Sequence, residues 1–215
     1  EFVVDLFQTG SGTSTNMNMN EVIASRANER LSGIIGGKTP VHPNDHVNLG
    51  QSSNDVIPTA LHISALSAIE RDLLPQLNIL RRVLVEKAAL WRNVRKIGRT
   101  HLQDAVPMFL GDEFGAYARQ MELSYLRIRN ASTGLRELAL GGTAVGSGLN
   151  TPPGFAAAII ERINHHLDMQ FKEAENRFEA QGSRDAAVEM SGTLKSTAIS
   201  LAKIADDVRW LASGP

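Results

Sequence analysis

RDAAVEMSGTLKSTAISLAKIADDVRWL, residues 184–211, is the stretch of the chain that decides its fold. Its seam positions recur at alternating spacings of four and three residues over the whole stretch. These positions are Met190, Leu194, Thr197, Leu201, Ile204, Val208 and Leu211. The pattern predicts one long α-helix with a seam along one side, and a seam of this spacing packs against closely aligned helices.

Helical patterns also occupy four upstream segments, which are residues 16–31, 54–89, 108–129 and 153–167. In the second of these, leucines at 73, 77, 80 and 84 form an apolar stripe at helical spacing. Pro58 fits the first turn of that helix, and Pro75 predicts a kink or a break. The connecting stretches are rich in glycine, proline and small polar residues, which is typical of loops.

The apolar faces of two other helices can also be assigned. In residues 16–31 the stripe is Met19, Ile23 and Ala27. In residues 108–129 it is Phe114, Tyr117, Met121, Tyr125 and Ile128. Residues 97–107 are predicted to be a polar loop, and the apolar run at residues 1–7 to be a strand or an irregular entry.

These patterns predict an all-α fold, a bundle of long helices with short irregular or strand segments at its N-terminal end. Long apolar seams need more partners than one small chain provides, so we expect other subunits to complete the bundle. With 42% apolar and 21% charged residues, the composition is that of an ordinary globular protein.

Several functional classes are disfavoured by the composition. The formal net charge of −1 gives no reason to expect nucleic acid or a membrane surface as a partner, and aromatic residues make up only 5%. The absence of cysteine excludes disulfides, thiolate metal sites and thiol catalysis. No apolar run approaches the roughly 20 residues of a membrane span. Both ends look cut, and we expect an internal fragment of a longer protein.

Four loops are unusually dense in hydroxyl, amide or imidazole groups. They are residues 9–13 (TGSGT), 42–46 (HPNDH), 51–55 (QSSND) and 98–104 (GRTHLQD). Two of them stand directly before predicted helices, where Ser52, Ser53 and Asn54 are favoured capping types. Because a helix start offers free backbone N–H groups and the positive end of the dipole, these loops are suited to binding a carboxylate.

Each loop alone also has an ordinary structural interpretation. Ser-Ser-Asn-Asp before a helix is commonly only a cap, and a Gly-Ser-Gly-Thr loop is commonly a turn. His42 and His46 can flank a simple turn, and His101 can make a structural hydrogen bond. The loops carry neither a phosphate-binding glycine signature nor metal-ligand spacing.

Taken together and in order, the loops resemble the fumarase/aspartase superfamily. The matching segments are QTGSGT (8–13), NMNMNEV (16–22), HPNDHVN (42–48), QSSND (51–55), GRTHLQDA (98–105) and GGTAVGSGLNT (141–151). Within the superfamily, Thr100-His101 is similar to class II fumarases, because aspartases carry glutamine at the position of His101. The ending RWLASGP (209–215) is also fumarase-like.

The resemblance implies a fold and an assembly. The superfamily fold is all-α, and its central long-helix domains form one bundle in a homotetramer whose active sites are shared between subunits. Residues 1–50 would be the remainder of an N-terminal domain, and residues 51–215 part of the central bundle domain. The expected compartment is the cytoplasm, with mitochondria as the alternative.

The resemblance also implies residue roles. Ser11, Thr13, Ser53, Asn54 and Thr100 would hold the carboxylates of a small dicarboxylate, fumarate or L-malate, with Ser52 alongside. His101 would orient the reacting water and move its proton, so that Thr100 and His101 form the catalytic pair. A second dicarboxylate site would contain His42, Asn44 and Asp45.

The implied reaction is the reversible hydration of fumarate to L-malate through an aci-carboxylate, with no metal and no cofactor. In the family the carbon base is a serine on a loop reading Gly-Ser-Ser-Ile-Met-Pro-Gly-Lys, which this sequence does not contain. We therefore expect the fragment alone to be inactive. Two rival hypotheses are an aspartate ammonia-lyase, which His101 disfavours, and a non-catalytic structural or interaction protein on the same scaffold.

Overall fold

The computed structural model of the chain describes residues 3–5 and 7–213 and is dominated by helices. Seven α-helices occur in the described part of the chain. They are α1 (Thr13–Ser32), α2 (Ser53–Ala68), α3 (Leu74–Leu90), α4 (Leu110–Leu135), α5 (Phe155–Leu167), α6 (Arg177–Gly182) and α7 (Asp185–Leu211). Single wide, π-type turns occupy Pro43–Val47 and Ile69–Leu73. The predicted all-α class is confirmed.

Two compact units share the chain. The first comprises the chain up to Ser64 together with Leu135–Asp185, and the second comprises Ala65–Gly134 together with the chain from Ala186 onward. Leu138, Ile160 and Phe171 are buried in the first unit, and Met121 and Ile128 in the second. The division into domains at residue 50 stays a prediction.

The long helix α7 follows the predicted seam over most of its length. Met190, Thr197 and Ile204 are buried, and Leu194 and Leu201 are half-buried. The last two seam positions, Val208 and Leu211, remain exposed. The seven-residue spacing of the buried positions is that of a helix packed nearly parallel to its neighbours.

The two prolines of the second helical segment have different effects. Pro58 lies inside α2 rather than in its first turn, so the prediction for this residue was wrong. Pro75 stands at the start of α3, directly after the wide turn Ile69–Leu73, in which the Leu74 N–H bonds to the Ile69 carbonyl. A proline ring clashes with a regular preceding turn, and a widened turn relieves that clash. The predicted break is therefore a wide turn in a continuing helix.

Residues 97–107 are not a loop, and this prediction was wrong. Strand β1 (Arg95–Thr100) pairs antiparallel with β2 (Gln103–Phe109), with Thr100 opposite Gln103. The two-residue connection His101-Leu102 has φ of 53° and 59°. Positive φ at both central positions is the turn that matches the twist of paired strands, so two residues suffice to close the hairpin.

Helix α1 buries a different face from the one predicted. Met19 and Ile23 are 44% and 46% exposed, whereas Asn16, Asn20 and Asn28 are buried together with Ala24. The reason is hydrogen bonding, because the buried amides bind loop groups of the same unit.

Short strands add to the first unit. Strand β3 (Glu137–Leu138) pairs in parallel with β4 (Lys172–Glu173). In the run at residues 1–7, the described positions 3–5 and 7 form no strand, and positions 1, 2 and 6 lie outside the described residues. None of the helices within residues 3–5 and 7–213 has the length and apolarity needed to cross a membrane.

Candidate functional site

Three predicted substrate-binding hydroxyls meet at the start of α2. Thr13 Oγ1 lies 3.0 Å from Ser53 Oγ and 3.4 Å from Ser11 Oγ. Both contacts lie at the surface, so the hydroxyl hydrogens are free to rotate toward a ligand. We name Ser11, Thr13 and Ser53 the hydroxyl cluster.

Glycine at position 12 allows this approach. Gly12 has φ of 67° and caps α1 in the left-handed region. A Cβ added there would lie 2.6 Å from Ile57 Cγ1 on α2. Only a residue without a side chain fits both the backbone conformation and the contact. The loop that carries Ser11 and Thr13 can therefore lie directly against α2.

The start of α2 is capped by its own residues. Ser52 Oγ accepts from the Asn54 N–H at 3.2 Å, and Asp55 Oδ1 accepts from the Ser52 N–H at 2.9 Å. This reciprocal pair is a capping box in which aspartate replaces the usual glutamate or glutamine. The hydroxyl of Ser52 is thus engaged in the cap, whereas that of Ser53 faces Thr13.

Asp55 has a second function that the sequence did not reveal. Its side chain is fully buried, and Oδ2 accepts from the Gly141 N–H at 3.1 Å and the Thr143 N–H at 2.9 Å. Burial raises the pKa of this carboxyl above its ordinary value, and the N–H donors of Ser52, Thr143 and Gly141 oppose the rise. Asp55 therefore joins the start of α2 to the loop 141–144.

Side chains of α6 donate hydrogen bonds to the backbone carbonyls of the same loop. Arg177 Nη1 donates to the Gly141 carbonyl at 3.0 Å, and Gln181 Nε2 donates to the Thr143 carbonyl at 2.6 Å. These two residues are four apart on α6 and so share one face of that helix. Neither was predicted, since only the glycine-rich motif of the loop was visible in the sequence.

Asn54 completes the connection between α2 and this loop. Its Nδ2 donates to the Ala144 carbonyl at 2.8 Å. One of the two amide hydrogens is therefore committed, and the amide plane of Asn54 is oriented by a residue 90 positions away. The predicted binding residues Ser53 and Asn54 thus stand side by side on a helix start that is fixed from several directions.

Two of the three residues predicted for the second site, Asn44 and Asp45, line an open cleft in the first unit. Asn44, Asp45 and Ser52 line a cavity of about 520 Å³ together with Thr143 and Ala144. Asn44 and Asp45 belong to the wide turn Pro43–Val47, which His42 caps. His42 Nδ1 lies 3.2 Å from the backbone N–H groups of both Asn44 and Asp45.

The tautomer of His42 follows from these contacts. Because Nδ1 accepts two N–H groups, it carries no hydrogen, and the ring hydrogen is on Nε2. Asp45 Oδ2 approaches the same Nδ1 at 3.3 Å, and this contact is not an ion pair in that tautomer. His42 can therefore offer one N–H donor from its Nε2.

A buried amide network supports the cleft. Asn48 Oδ1 accepts from Asn20 Nδ2 at 2.9 Å and from Asn16 Nδ2 at 3.2 Å. Asn16 and Asn20 are one helical turn apart on α1, and this spacing is a signal from which the buried face could have been found. The network fixes α1 to the segment that carries His42, Asn44 and Asp45.

Thr100 and His101 belong to the second unit. Thr100 closes the hairpin opposite Gln103, and His101 occupies the left-handed first position of the turn. His101 lines a cavity of about 850 Å³ with Lys96, Arg99 and Trp210. Non-glycine residues are uncommon in this backbone conformation, histidine is one of the types that adopt it more often, and the first positions of such turns favour asparagine and glycine.

A second polar network lines the same cavity. Tyr117 is buried, and its Oη lies 2.9 Å from both Glu113 Oε1 and Asp207 Oδ2. Lys96 pairs with Glu113 and Lys203 pairs with Asp207. Burial and both carboxylates raise the pKa of Tyr117. Burial pushes the pKa of Asp207 upward, but hydrogen bonds from Lys203 and Tyr117 outweigh it, so that this pKa is lowered.

Comparison with known proteins agrees with the resemblance seen in the sequence. A family model described as "Lyase" matches residues 1–215. The class II fumarate hydratase of Nitrosomonas europaea is 54% identical over 215 residues, which cover 100% of this chain and 46% of that protein. The mitochondrial fumarate hydratase of Danio rerio is 51% identical over 214 residues, or 100% of this chain and 42% of that protein.

Solved structures show the same similarity. The class II fumarase of Schistosoma mansoni superimposes with a TM-score of 0.90 at 43% identity, covering 97% of this chain and 47% of that one. The fumarate lyase:delta crystallin of Brucella melitensis bound to cobalt gives 0.92 at 43% identity, covering 100% and 46%. The chain thus spans about half the length of the relatives that it matches. Since the family model matches the chain from end to end, the chain belongs to the lyase family.

Proposed function

We propose that this chain is part of an enzyme that reversibly hydrates fumarate to L-malate. The observation that supports the proposal most directly is the hydroxyl cluster, in which Thr13 and Ser53 lie 3.0 Å apart beside the capped start of α2. Relatives that are 51% to 54% identical carry the name fumarate hydratase, which agrees with this assignment.

The hydroxyl cluster can bind a carboxylate without positive side chains. A hydroxyl hydrogen rotates freely, so Ser11, Thr13 and Ser53 can each turn a donor toward an anion. The start of α2 adds the positive end of its dipole. The remaining amide hydrogen of Asn54 supplies a directed donor next to Ser53. Such a set selects for a carboxylate by the number and direction of its donors.

The proposed reaction requires donors around one carboxylate of the substrate. When malate is dehydrated, a base removes the proton on the carbon next to that carboxylate, and both negative charges collect on the carboxylate oxygens. Fixed donors stabilise this charge as it develops, which is commonly the largest contribution to catalysis. Ser53 and Asn54 are the residues that we propose for this role, with Ser52 holding the helix start in place, and Thr100 is proposed to add a donor as part of a site shared between subunits.

His101 is proposed to act on the hydroxyl that leaves. Protonating it lets it depart as water, and in the reverse direction the same residue accepts a proton from the attacking water. Imidazole suits this exchange because its ordinary pKa is about 6.5. In an ammonia-lyase the departing group is an amine, and the aspartases of this superfamily carry glutamine at the position of His101.

A second dicarboxylate site is proposed at the cleft that Asn44 and Asp45 line, with His42 at the start of the turn that carries them. The Nε2–H of His42 and the side-chain amide of Asn44 are its donors. Asp45, whose side chain is 75% exposed, opposes an anion. We therefore expect this site to bind dicarboxylates more weakly than the hydroxyl cluster does.

We also propose a homotetramer with active sites shared between subunits. Exposed apolar residues on the long helices support it, since Val188 and Ile199 on α7 are 67% and 61% exposed and Leu90 on α3 is 68% exposed. Such side chains favour burial against another subunit.

The proposed division into an N-terminal remainder (1–50) and a central bundle (51–215) is the one that the resemblance to the superfamily implies. The proposed compartment is the cytoplasm, or mitochondria as the name of the Danio rerio relative has it.

Dicarboxylate binding tests the proposal. Fumarate and L-malate are titrated into the 215-residue chain and followed by calorimetry and amide NMR. We expect Thr13→Val and Ser53→Ala to weaken binding at least tenfold, and Ser64→Ala, an exposed serine farther along α2, to leave it unchanged. Amide shifts confined to surfaces away from residues 11–13 and 52–54 would contradict the assignment.

Turnover is a separate measurement. We expect the chain to dehydrate malate slowly or not at all, because the serine loop implied as the carbon base is not among its residues. Malate consumption is followed by fumarate absorbance, with L-aspartate as the alternative substrate. Release of ammonia from aspartate would favour an ammonia-lyase instead.

A further inference from the structure

We propose that Asp55 is a positioning residue for dicarboxylate binding, because it locks the loop 141–144 to the start of α2 and so sets the orientation of Asn54. The inference rests on the proposed function of Ser53 and Asn54 as carboxylate-binding residues. It adds to that function a buried residue that itself touches no substrate.

The geometry distinguishes Asp55 from an ordinary helix cap. A cap uses one carboxylate oxygen, and Oδ1 does this for the Ser52 N–H. The other oxygen, Oδ2, accepts from Gly141 and Thr143, which are 86 and 88 residues away in sequence. The carboxylate is fully buried, so these N–H groups are its hydrogen-bond partners in place of water.

The held loop in turn orients the side chain of Asn54. Ala144 directly follows Thr143, and its carbonyl accepts from Asn54 Nδ2 at 2.8 Å. On the opposite edge, Arg177 and Gln181 fix the carbonyls of Gly141 and Thr143. The direction of the Ala144 carbonyl is therefore determined by contacts on both sides of the loop, and the free amide hydrogen of Asn54 is aimed in one direction.

This arrangement predicts how loss of Asp55 affects binding. In Asp55→Asn, one oxygen becomes an N–H₂ donor and faces a backbone N–H, so that either the cap or the loop must separate. When the loop separates, Asn54 loses its fixed partner and samples several rotamers. The binding of a dicarboxylate then weakens although no residue that touches it has been changed.

The experiment combines two readouts on the 215-residue chain. Hydrogen exchange of the Gly141 and Thr143 amides measures the loop, and fumarate titration measures binding. We expect Asp55→Asn to speed exchange of both amides more than tenfold and to weaken fumarate binding about tenfold, which corresponds to the loss of about 1.4 kcal/mol. Asp206→Asn, an exposed aspartate on α7, is the matched control and should change neither.

A second variant keeps the inference falsifiable if Asp55→Asn does not fold. Gln181→Ala removes a donor from the other edge of the loop and buries no new polar group. We expect it to speed exchange of the Gly142–Ala144 segment, to shift the side-chain amide resonances of Asn54, and to weaken fumarate binding about threefold. Gln181→Glu should weaken binding as Gln181→Ala does, because a carboxylate cannot donate to the Thr143 carbonyl.

The outcomes separate this inference from the proposed function. If the loop amides exchange faster in either variant while the fumarate affinity stays unchanged, Asp55 is a structural residue only and the inference is wrong. If the wild-type chain protects these amides but binds no dicarboxylate, the proposed function fails and the inference fails with it. Faster exchange together with weaker binding supports both.

Discussion

Replacing Gly141 with alanine tests how the loop 141–144 is packed. Gly141 has φ of 86°, and its amide donates to Asp55. A Cβ added there would lie 2.5 Å from the Cβ of Ala156 on α5 and 3.4 Å from its Cα. The added methyl group therefore destabilises the fold in two ways, through the backbone conformation and through the contact with Ala156.

The two costs can be given magnitudes. A non-glycine residue in the left-handed region costs about 1–2 kcal/mol. Inserting a methyl group into a packed site costs about 1–3 kcal/mol more, because the neighbour must move. We therefore expect Gly141→Ala to lower the free energy of unfolding by about 2–5 kcal/mol.

The chain offers a control for each cost. Gly154 has φ of 79° with no atom within 4 Å of an added Cβ, so Gly154→Ala carries the backbone cost alone. In the double variant Gly141→Ala/Ala156→Gly the steric cost is removed, at about 0.5–1 kcal/mol for glycine in a helix. Urea denaturation at one fixed protein concentration gives the free energy of unfolding of the wild type and of each of the three variants.

The expected order of stability is wild type, then Gly154→Ala, then Gly141→Ala, with the double variant more stable than Gly141→Ala. The reasoning would be refuted if Gly141→Ala cost no more than Gly154→Ala, or if removing the Ala156 methyl group recovered nothing. Either result would mean that the loop does not lie against α5 as described.

Three further predictions concern ionisable and turn residues. Tyr117→Phe should lower the free energy of unfolding by about 1–3 kcal/mol, because the half-buried carboxylates of Glu113 and Asp207 lose their shared partner. It should also raise the pKa of Asp207, and an unchanged NMR titration of that carboxyl carbon would contradict this. The pKa of Asp55 is raised in the folded chain, so its titration stabilises the fold fully below the ordinary pKa of 3.8, and this stabilisation is lost as the pH rises through the folded pKa. Denaturation at several pH values should therefore show that wild type loses stability relative to Asp55→Asn across that window. His101→Asn should raise the free energy of unfolding relative to wild type, by less than the whole left-handed cost of about 1–2 kcal/mol, because asparagine is favoured at the first position of such a turn; equal or lower stability would contradict this.

Most helices could be predicted because their signals are local. The spacing of Met190, Thr197 and Ile204 depends only on the helix that contains them, and the structure buries all three. The capping types at Ser52 and Asn54 likewise depend on a few neighbouring residues. Such signals survive in a single sequence because helical contacts are short in range.

The errors in the sequence analysis have physical causes of another kind. The hairpin was missed because its turn contains His-Leu where such turns favour Asn-Gly. A residue that violates a local preference marks a position with another constraint, and His101 is the proposed proton-transfer residue. The buried face of α1 was assigned wrongly because apolar Met19 and Ile23 outweighed the asparagines, whose partners lie in other segments.

Sequence motifs pointed to the surface residues of the candidate site, but not to the buried hydrogen bonds that hold those residues in place. Ser11, Thr13, Ser53 and Asn54 carry recognisable motifs, and the structure places them in one unit. Asp55 shows only the capping half of its role in the sequence. Its bonds to Gly141 and Thr143 span 86 and 88 residues, and no local pattern encodes such a contact.

The wide turn at Ile69–Leu73 has a consequence for insertions and deletions along the helices. A turn of this kind contains one residue more than a regular turn, so losing a residue there would leave the side-chain faces of α3 in place, whereas a loss elsewhere would rotate them by about 100°. Pro75 makes that tolerance conditional, because its ring needs the extra room. A one-residue shortening of this segment is therefore compatible with the fold only in a chain that has first exchanged the proline.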